Sequence, residues 1–126
     1  MSEKYTMASF FAGVGGIDLG FEETGRVETV YANEFDPYPV KTFNLNFAIE
    51  ADCRDIHDVQ PDDFPDVDII AGGFPCQAFS IAGYRQGFTD EKGRGTLFFE
   101  LMRLVHVKKP RIVFLENVKN LVGHDK

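Results

Sequence analysis

Short apolar runs punctuated by glycine alternate along this chain with stretches in which apolar residues recur at helical spacing. Runs that are rich in β-branched residues and bounded by glycine or aspartate are typical of buried strands. We expect strands at residues 6–12, 27–32, 49–51, 67–71 and 112–115. The alternation of these strands with helices predicts an α/β fold with a mostly parallel sheet and right-handed crossovers.

Three helices follow from the same pattern and from capping signals. Residues 17–24 read as a short helix that ends near Gly25. Asp36 is a candidate N-cap with Pro37 at the first helical position, which predicts a helix running toward Phe47. Helical spacing of apolar residues predicts a third helix at 96–108. The long glycine-bearing stretch 77–95 lacks a strong period, and we interpret it as a functional loop.

Composition narrows the class of protein. The 126 residues are 44% hydrophobic and 13% aromatic, which predicts one globular domain. No apolar stretch approaches about 18 residues and no signal-peptide pattern opens the chain, so we expect a cytoplasmic protein without a membrane partner. The formal charge of −7 argues against this segment alone gripping a phosphate backbone. Because no closing strands or second domain are recognisable, we expect a fragment or one part of a divided protein.

A single cysteine stands at the end of the fourth predicted strand. The six residues 72–77 predict a turn that holds Cys76, and Pro75 stiffens the approach to that thiol. Side chains just past the carboxyl end of such a strand line the ligand crevice of an open α/β sheet. Cys76 is therefore a candidate nucleophile, and a buried core thiol is the alternative.

Metal-ligand spacing is absent from the sequence. The two cysteines, Cys53 and Cys76, form no Cys-x-x-Cys pair and are expected to be free thiols. The three histidines, His57, His106 and His124, follow no ligand pattern either. We therefore expect no metal site.

A glycine cluster between the first strand and the first helix predicts a ligand cradle. Gly13, Gly15 and Gly16 allow close approach to the backbone, and the helix amino terminus offers unpaired N–H groups. The dinucleotide pattern requires glycine at residue 18, where Asp18 would instead present a negative charge to a pyrophosphate. We expect a cofactor without a diphosphate; glycines that merely make a tight turn are the alternative.

Further candidates stand at the carboxyl ends of successive predicted strands. Glu34 lies at an offset at which an acid commonly accepts hydrogen bonds from ribose hydroxyls, and Phe35 is suited to packing on a purine. Asp52 is a candidate acceptor for an adenine amino group. Together these three outline a nucleoside pocket, although each alone is more often a surface acid or core aromatic. Glu116 would face the cysteine turn and share a proton there; a solvated strand-end glutamate is its alternative.

Four stretches, in this order, resemble the successive signature motifs of DNA cytosine-5 methyltransferases: Phe11-Ala12-Gly13-Val14-Gly15-Gly16, Gly73-Phe74-Pro75-Cys76-Gln77, Arg94-Gly95-Thr96-Leu97-Phe98-Phe99 and Glu116-Asn117-Val118. The resemblance spans nearly the whole chain. It implies a Rossmann-like methyltransferase fold, with residues 1–126 as the amino-terminal part of a single catalytic domain. It also implies S-adenosylmethionine as cofactor, double-stranded DNA as partner and a role in restriction–modification.

The resemblance assigns roles to individual residues. It implies Phe11, Gly13, Gly15 and Gly16 around the methionine moiety, Glu34 on the ribose, Phe35 and Asp52 about the adenine, and Leu97 on the far side. Cys76 and Glu116 become the catalytic pair for a flipped cytosine. The remaining assignments concern the substrate DNA: Gln77, Ser80, Arg94 and Asn117.

Departures from the family pattern qualify these roles. Ala82 stands where some members carry a second serine, and Phe35 replaces a tryptophan that some carry. The family's arginine-containing motif, its variable DNA-reading region and its terminal segment are not recognisable. We therefore expect this chain alone to bind cofactor weakly and not to methylate, and a complementary polypeptide to carry the other half.

Two rival functions remain open. A cysteine phosphatase would need an arginine six residues after Cys76, where Ala82 stands, and a cysteine protease would need a partner histidine. The second rival is a non-catalytic module that keeps the sheet and the cofactor site. Retention of Cys76, Glu116 and Arg94 argues against that loss of chemistry.

Overall fold

Four parallel strands form the centre of the protein in a computed structural model that describes residues 3–74 and 96–117. In chain order the elements are β1 (Tyr5–Phe10), α1 (Gly16–Glu22), β2 (Val27–Asn33), α2 (Pro37–Asn46), β3 (Ile69–Phe74), α3 (Thr96–Lys108) and β4 (Ile112–Asn117). Two single turns of 3-10 helix, Ile56–Asp58 and Pro61–Asp63, lie between α2 and β3. The strand order is β2-β1-β3-β4, which confirms the predicted parallel α/β architecture.

The sheet carries helices on both faces. From β1 the chain crosses to β2 through α1, and from β3 it crosses the opposite way to β4 through α3. Because both crossovers are right-handed, the two helices lie on opposite faces. On the α1 face, Met7 and Ala71 pack with Phe21; on the α3 face, Phe10 and Ile70 pack with α3 residues. Leu101 and Leu104 are fully buried on that second face.

Local signals located the helices well. The Asp36 carboxylate accepts a hydrogen bond from the backbone N–H of Tyr38 at 3.0 Å, with Pro37 at the first helical position. Helix α3 has the predicted bounds, and none of the helices in the described ranges is long and apolar enough to cross a membrane.

The predicted strand at residues 49–51 is wrong. Only an isolated bridge between Asn33 and Asp52 forms there. The Asp52 N–H donates to the Ala32 carbonyl at 2.7 Å, and the Asp52 carbonyl accepts from Glu34 N–H at 3.1 Å. The chain then turns at once, because the N–H of Arg54 bonds back to the same Asp52 carbonyl. The short apolar run is therefore too brief to extend the sheet.

The turn predicted over residues 72–77 is wrong for residues 72–74, and its other three residues lie outside the described ranges. Strand β3 continues through both glycines to Phe74 and stays paired with β4 throughout, ending with Phe74 opposite Asn117. The register places Gly73 opposite Glu116. These glycines therefore serve the packing of side chains against the strand rather than a change of chain direction.

Asp18 is buried in a polar cluster beneath the sheet. Its Oδ2 accepts a hydrogen bond from the Thr29 hydroxyl at 3.0 Å, while its Oδ1 and the Ser9 hydroxyl have no hydrogen-bond partner within the described ranges. Burial raises the pKa of Asp18 above its usual value, although the hydrogen bond from the Thr29 hydroxyl opposes this change. The expectation that Asp18 presents its charge to the glycine cradle is therefore wrong, because the side chain points into the core.

Replacing Asp18 by asparagine should change how stability depends on pH. Because folding raises the pKa of Asp18, its stabilising contribution is present at low pH and is lost as pH rises through the folded-state value. The free energy of unfolding of Asp18→Asn should therefore increase relative to that of the original chain as pH rises from the unfolded-state pKa of Asp18 toward its raised folded-state pKa. Urea titrations measure it, with exposed Glu23→Gln as control. A constant difference across this range would contradict the prediction.

Candidate active site

The candidate site lies where the two crossovers diverge. The loop after β1 leads into α1 and toward β2, whereas the segment after β3 leads toward α3 and β4. Such a reversal opens a crevice at the carboxyl ends of the two central strands, and ligands of open α/β sheets bind there. The glycine cluster follows β1 at this crevice, and β3 ends there at Phe74, two residues before Cys76 in the sequence.

The loop after β1 is a tightly wound cradle. Phe11, Gly13 and Gly15 have φ values of 55°, 59° and 99°, in the left-handed region. A Cβ on Gly15 would collide with the ring of Phe47 and would lie 3.0 Å from that of Phe43, so only glycine fits. For Phe11 this conformation is strained, at a cost of roughly 1–3 kcal/mol. The strain turns the chain out of β1.

Glu34 ties this loop to the end of β2. Its Oε1 accepts a hydrogen bond from Gly13 N–H at 2.8 Å, and its Oε2 accepts from Asp36 N–H at 2.9 Å. A carboxylate has about four lone-pair sites, so each oxygen of Glu34 keeps one for a ligand. The geometry therefore fits the predicted role on the two hydroxyls of a ribose. Phe35, next in the chain, has 70% of its surface exposed and offers its ring to a planar group.

The Asp52 carboxylate makes its contacts within the protein, with Tyr31 and Arg54. It accepts a hydrogen bond from the Tyr31 hydroxyl at 2.5 Å and from Arg54 Nε at 2.9 and 3.0 Å. Burial, and then the neighbouring Asp52 carboxylate, raise the pKa of Tyr31, which keeps its hydroxyl protonated as a donor. Arg54 also reaches Asp63 at 2.8 Å. The structure thus gives Asp52 a positioning role in the segment that follows β2.

Asp55 is a candidate that the sequence reasoning missed. It caps the turn Ile56–Asp58, and its Oδ1 accepts from His57 N–H at 2.9 Å and contacts His57 Nδ1 at 2.6 Å. Although burial opposes them, these His57 contacts hold the pKa of Asp55 below its usual value. The side chain is 41% exposed. The Asp-x-His capping pattern, which begins three residues after Asp52, was the available signal.

Glu116 and the end of β3 are in direct contact. A Cβ on Gly73 would lie 2.8 Å from Glu116 Oε1 and 3.5 Å from Ile17 Cδ1. The missing side chain of Gly73 therefore makes room for the carboxylate. Glu116 is exposed, which places an accessible acid beside the strand that leads to Cys76.

Several predicted residues lie outside the described ranges. These are Cys76, Gln77, Ser80 and Arg94, together with the predicted loop 77–95 and the side chain of Asn117. Phe11 and Leu97 both pack against the core cluster on the α3 face of the sheet. The structure thus brings Glu34 to the Gly13 loop and Glu116 to Gly73, while Phe11 and Leu97 lie toward the α3 face.

The negative charge at the carboxyl-terminal edge of the sheet limits which class of ligand can bind there. Glu34, Asp36 and Glu116 stand at or just beyond the carboxyl ends of strands, and Asp55 follows the isolated Asn33–Asp52 bridge at the end of β2 by three residues. An acidic rim of this kind repels a diphosphate and favours a ligand that carries positive charge. S-adenosylmethionine has a sulfonium, an amino group and no phosphate, so the residues present fit it.

Comparison with known proteins agrees with this chemistry. Residues 5–126 match the sequence profile of the C-5 cytosine-specific DNA methylase family. The chain is 58% identical over 119 residues to type II methyltransferase M.Bsp6I of Bacillus sp. (strain RFL6). This alignment covers 94% of this chain and 38% of that protein. The chain is 50% identical over 115 residues to type II methyltransferase M.HhaI of Haemophilus parahaemolyticus, covering 91% and 34%.

Solved structures give the same fold. A prophage-encoded DNA modification methyltransferase of E. coli superposes with a TM-score of 0.75 at 27% identity, covering 94% of this chain and 33% of that one. The S. pombe Dnmt2 methyltransferase also gives 0.75, at 20% identity, covering 96% and 38%. Across the curated relatives compared, this chain spans only 29% to 39% of their length. By its sequence and its sheet, the chain belongs to the C-5 cytosine-specific DNA methylase family.

Proposed function

We propose that this chain is the cofactor-binding and nucleophile-bearing part of the catalytic domain of a DNA (cytosine-5) methyltransferase. It would act on double-stranded DNA in the bacterial cytoplasm. The observation that carries the proposal is the contact between Glu116 and Gly73, which sets an acid beside the strand leading to Cys76. The loop that Glu34 holds through Gly13 N–H follows β1, the other central strand, and borders the same crevice.

The cofactor would be S-adenosylmethionine, which supplies an electrophilic methyl group when bound. Glu34 would accept hydrogen bonds from the ribose hydroxyls, and the exposed ring of Phe35 would pack on the adenine. Because Tyr31 and Arg54 already occupy Asp52, Asp52 would position its segment and the ionised Asp55 would face the adenine amino group. Phe11, Gly13, Gly15 and Gly16 would surround the methionine moiety, with Leu97 on the far side.

The reaction would begin with covalent addition. The Cys76 thiolate would bond to carbon 6 of the cytosine, which breaks the ring's aromaticity and makes carbon 5 an enamine-like nucleophile. Carbon 5 would then take the electrophilic methyl group that the cofactor supplies, with S-adenosylhomocysteine as the leaving group. A base or water removes the carbon 5 proton, and the electron pair left behind expels the thiolate. Because carbon 6 is hidden in a duplex, the base must first be flipped out.

Glu116 would stabilise the charge that this addition creates. Its carboxyl would hold the ring nitrogen and amino group of the flipped cytosine while electron density moves onto the ring. Strand pairing with β3 fixes the backbone of Glu116 from Ile112 onward, so its position does not depend on a loop. A carboxyl on a strand is held more precisely than one on a loop.

Contacts with DNA would come from the predicted loop 77–95 and from basic surface outside this chain. Gln77, Ser80 and Arg94 would meet the displaced base and a phosphate, and Asn117 would lie beside the target. With a formal charge of −7, this chain needs basic surface from a complementary polypeptide or from further sequence. Because it spans about a third of its relatives, a non-catalytic cofactor-binding subunit is the second candidate function.

A covalent trap tests the central claim. This chain, co-expressed with the part of M.Bsp6I beyond the matched segment, should form a denaturation-resistant adduct with duplex DNA containing 5-fluorocytosine in the presence of S-adenosylmethionine. Fluorine at carbon 5 blocks the elimination step, so the Cys76 bond to carbon 6 persists. The adduct should vanish in Cys76→Ser and remain in Cys53→Ser, which alters an exposed free thiol. An adduct that survives Cys76→Ser removes that residue from the mechanism.

Glu34→Gln should weaken cofactor binding. It replaces one of the two carboxylate oxygens by a donor, and a hydrogen bond to a charged group contributes about 1.5–3 kcal/mol, or roughly tenfold to hundredfold in Kd. Calorimetric titration with S-adenosylmethionine measures the effect in the same two-part protein. Glu28→Gln, exposed on the same strand, is the control. Equal Kd values for Glu34→Gln and the unaltered protein would exclude Glu34 from the pocket.

Gly73→Ala should lower the rate of methyl transfer. The new methyl group would lie 2.8 Å from Glu116 Oε1, so the carboxylate must move, and a displacement of about 1 Å costs roughly a hundredfold in rate. Gly72→Ala is the matched control, because its methyl group would instead meet Leu101 Cδ2 at 3.0 Å in the core. Transfer of labelled methyl groups to DNA measures both. Similar losses in the two variants would show a general packing effect.

A further inference from the structure

Asn33, the last residue of β2, is buried although its side chain is polar. It is 2% exposed, and asparagine is depleted in strands, so the sheet alone does not explain it. Its side-chain nitrogen donates hydrogen bonds to the carbonyl oxygens of Asp52 and Arg54, both at 2.9 Å. Because a carbonyl oxygen can only accept, the amide nitrogen of Asn33 must face these two partners. Asn33 thus holds the segment that follows the bridge at the end of β2.

The two carbonyl groups depend on Asn33 to different degrees. The Asp52 carbonyl also accepts hydrogen bonds from Glu34 N–H and Arg54 N–H, each at 3.1 Å. Within the described ranges, the Arg54 carbonyl accepts a hydrogen bond from Asn33 alone. That carbonyl belongs to the peptide group whose nitrogen is the backbone nitrogen of Asp55. The amide of Asn33 therefore fixes the plane of the peptide group from which Asp55 begins.

The carboxylate of Asp55 has one oxygen available for a ligand. Its Oδ1 accepts from His57 N–H at 2.9 Å and contacts His57 Nδ1 at 2.6 Å, which fills the roughly two lone-pair sites of that oxygen. Its Oδ2 makes no hydrogen bond with any residue of the described ranges. The side chain is partly exposed, and its pKa lies below its usual value. Asp55 is therefore an ionised acceptor that is held in one direction.

The backbone of Asn33 makes a separate contact with the loop after β1. Its carbonyl accepts a hydrogen bond from Ala12 N–H at 3.1 Å, and the next residue, Glu34, accepts from Gly13 N–H at 2.8 Å. Neither bond uses the Asn33 side chain. A substitution at residue 33 can therefore release the segment that leads to Asp55 and leave the glycine loop in place.

We propose that Asn33 is a positioning residue that holds Asp55 at a fixed distance from Glu34, so that the site selects adenine by its amino group. The proposal rests on the proposed function, in which Glu34 meets the ribose and Asp55 the adenine amino group. A nucleoside is short and stiff, so the two acids must match the span between its hydroxyls and its amino group. Hydrogen bonds weaken steeply when their angle is poor, so a peptide group that can rotate would lose the contact at Asp55.

Two ligands that differ at carbon 6 of the purine isolate this effect. S-adenosylhomocysteine carries the amino group, and its hypoxanthine counterpart carries an oxygen there. Calorimetric titration of the same two-part protein measures the Kd of each ligand. The unaltered protein should bind the hypoxanthine ligand at least about tenfold more weakly, because it loses a hydrogen bond to a charged acceptor. Asn33→Ala and Asn33→Val should each reduce this ratio of Kd values to about threefold or less.

Three further variants separate the amide from a general packing effect. Valine at residue 33 removes both donors but keeps a strand-forming side chain of comparable size, so a cavity is not the cause of its effect. Asn46→Ala is the matched control, because Asn46 Nδ2 also donates to a backbone carbonyl, that of Thr42 at 2.8 Å, at an exposed position. It should keep the full ratio. Asp55→Ala should abolish the ratio, and adding Asn33→Val to it should change nothing more.

The contrary outcomes are distinct. An unchanged ratio in Asn33→Val overturns the proposal and leaves the proposed function standing. Loss of both ligands in Asn33→Val would show that the amide supports the whole cradle, which also excludes the role assigned to it. A ratio near one in the unaltered protein removes Asp55 from the adenine and defeats the proposal with it. If the unaltered protein binds neither ligand, the proposed function itself fails.

Discussion

The parallel pairing of β1 with β3 is the constraint on which the candidate site depends. Phe10, the last residue of β1, lies opposite Gly72, so the glycine loop leaves the sheet beside the last residues of β3, which ends at Phe74. Since the chain leaves these two strands in opposite directions, no crossover helix covers the space between their ends. The crevice is thus a result of topology, and its chemistry comes from the residues placed at its rim.

Capping residues and apolar spacing in the sequence were enough to predict the bounds of two helices. Asp36 and Pro37 mark the start of α2. The helical spacing of apolar residues in α3 predicts both the first and the last residue of that helix. The predicted strand at 49–51 failed because a short apolar run does not reveal that Arg54 N–H turns back onto Asp52. Asp18 was misplaced because a motif position does not say which way a helical side chain points.

The sequence was enough to predict which types of residue stand at the candidate site, but it predicted only some of their contacts. Strand-end acids follow from the apolar pattern, which located Glu34 and Glu116. The register that sets Gly73 opposite Glu116 is a tertiary property, as is the use of Asp52 by Tyr31 and Arg54. Asp52 contacts Tyr31 and Arg54, whereas Asp55, three residues later, contacts His57, and composition and spacing alone do not reveal this difference.

The exposed edge of β4 also has a cellular consequence. An uncovered strand with apolar side chains on both faces is a template for aggregation and a mark for chaperones and proteases. Copies of this chain made in excess of whatever covers β4 would be removed faster than covered ones. The abundance of this chain would then follow the supply of its cover, so that quality control, rather than transcription alone, would set its amount.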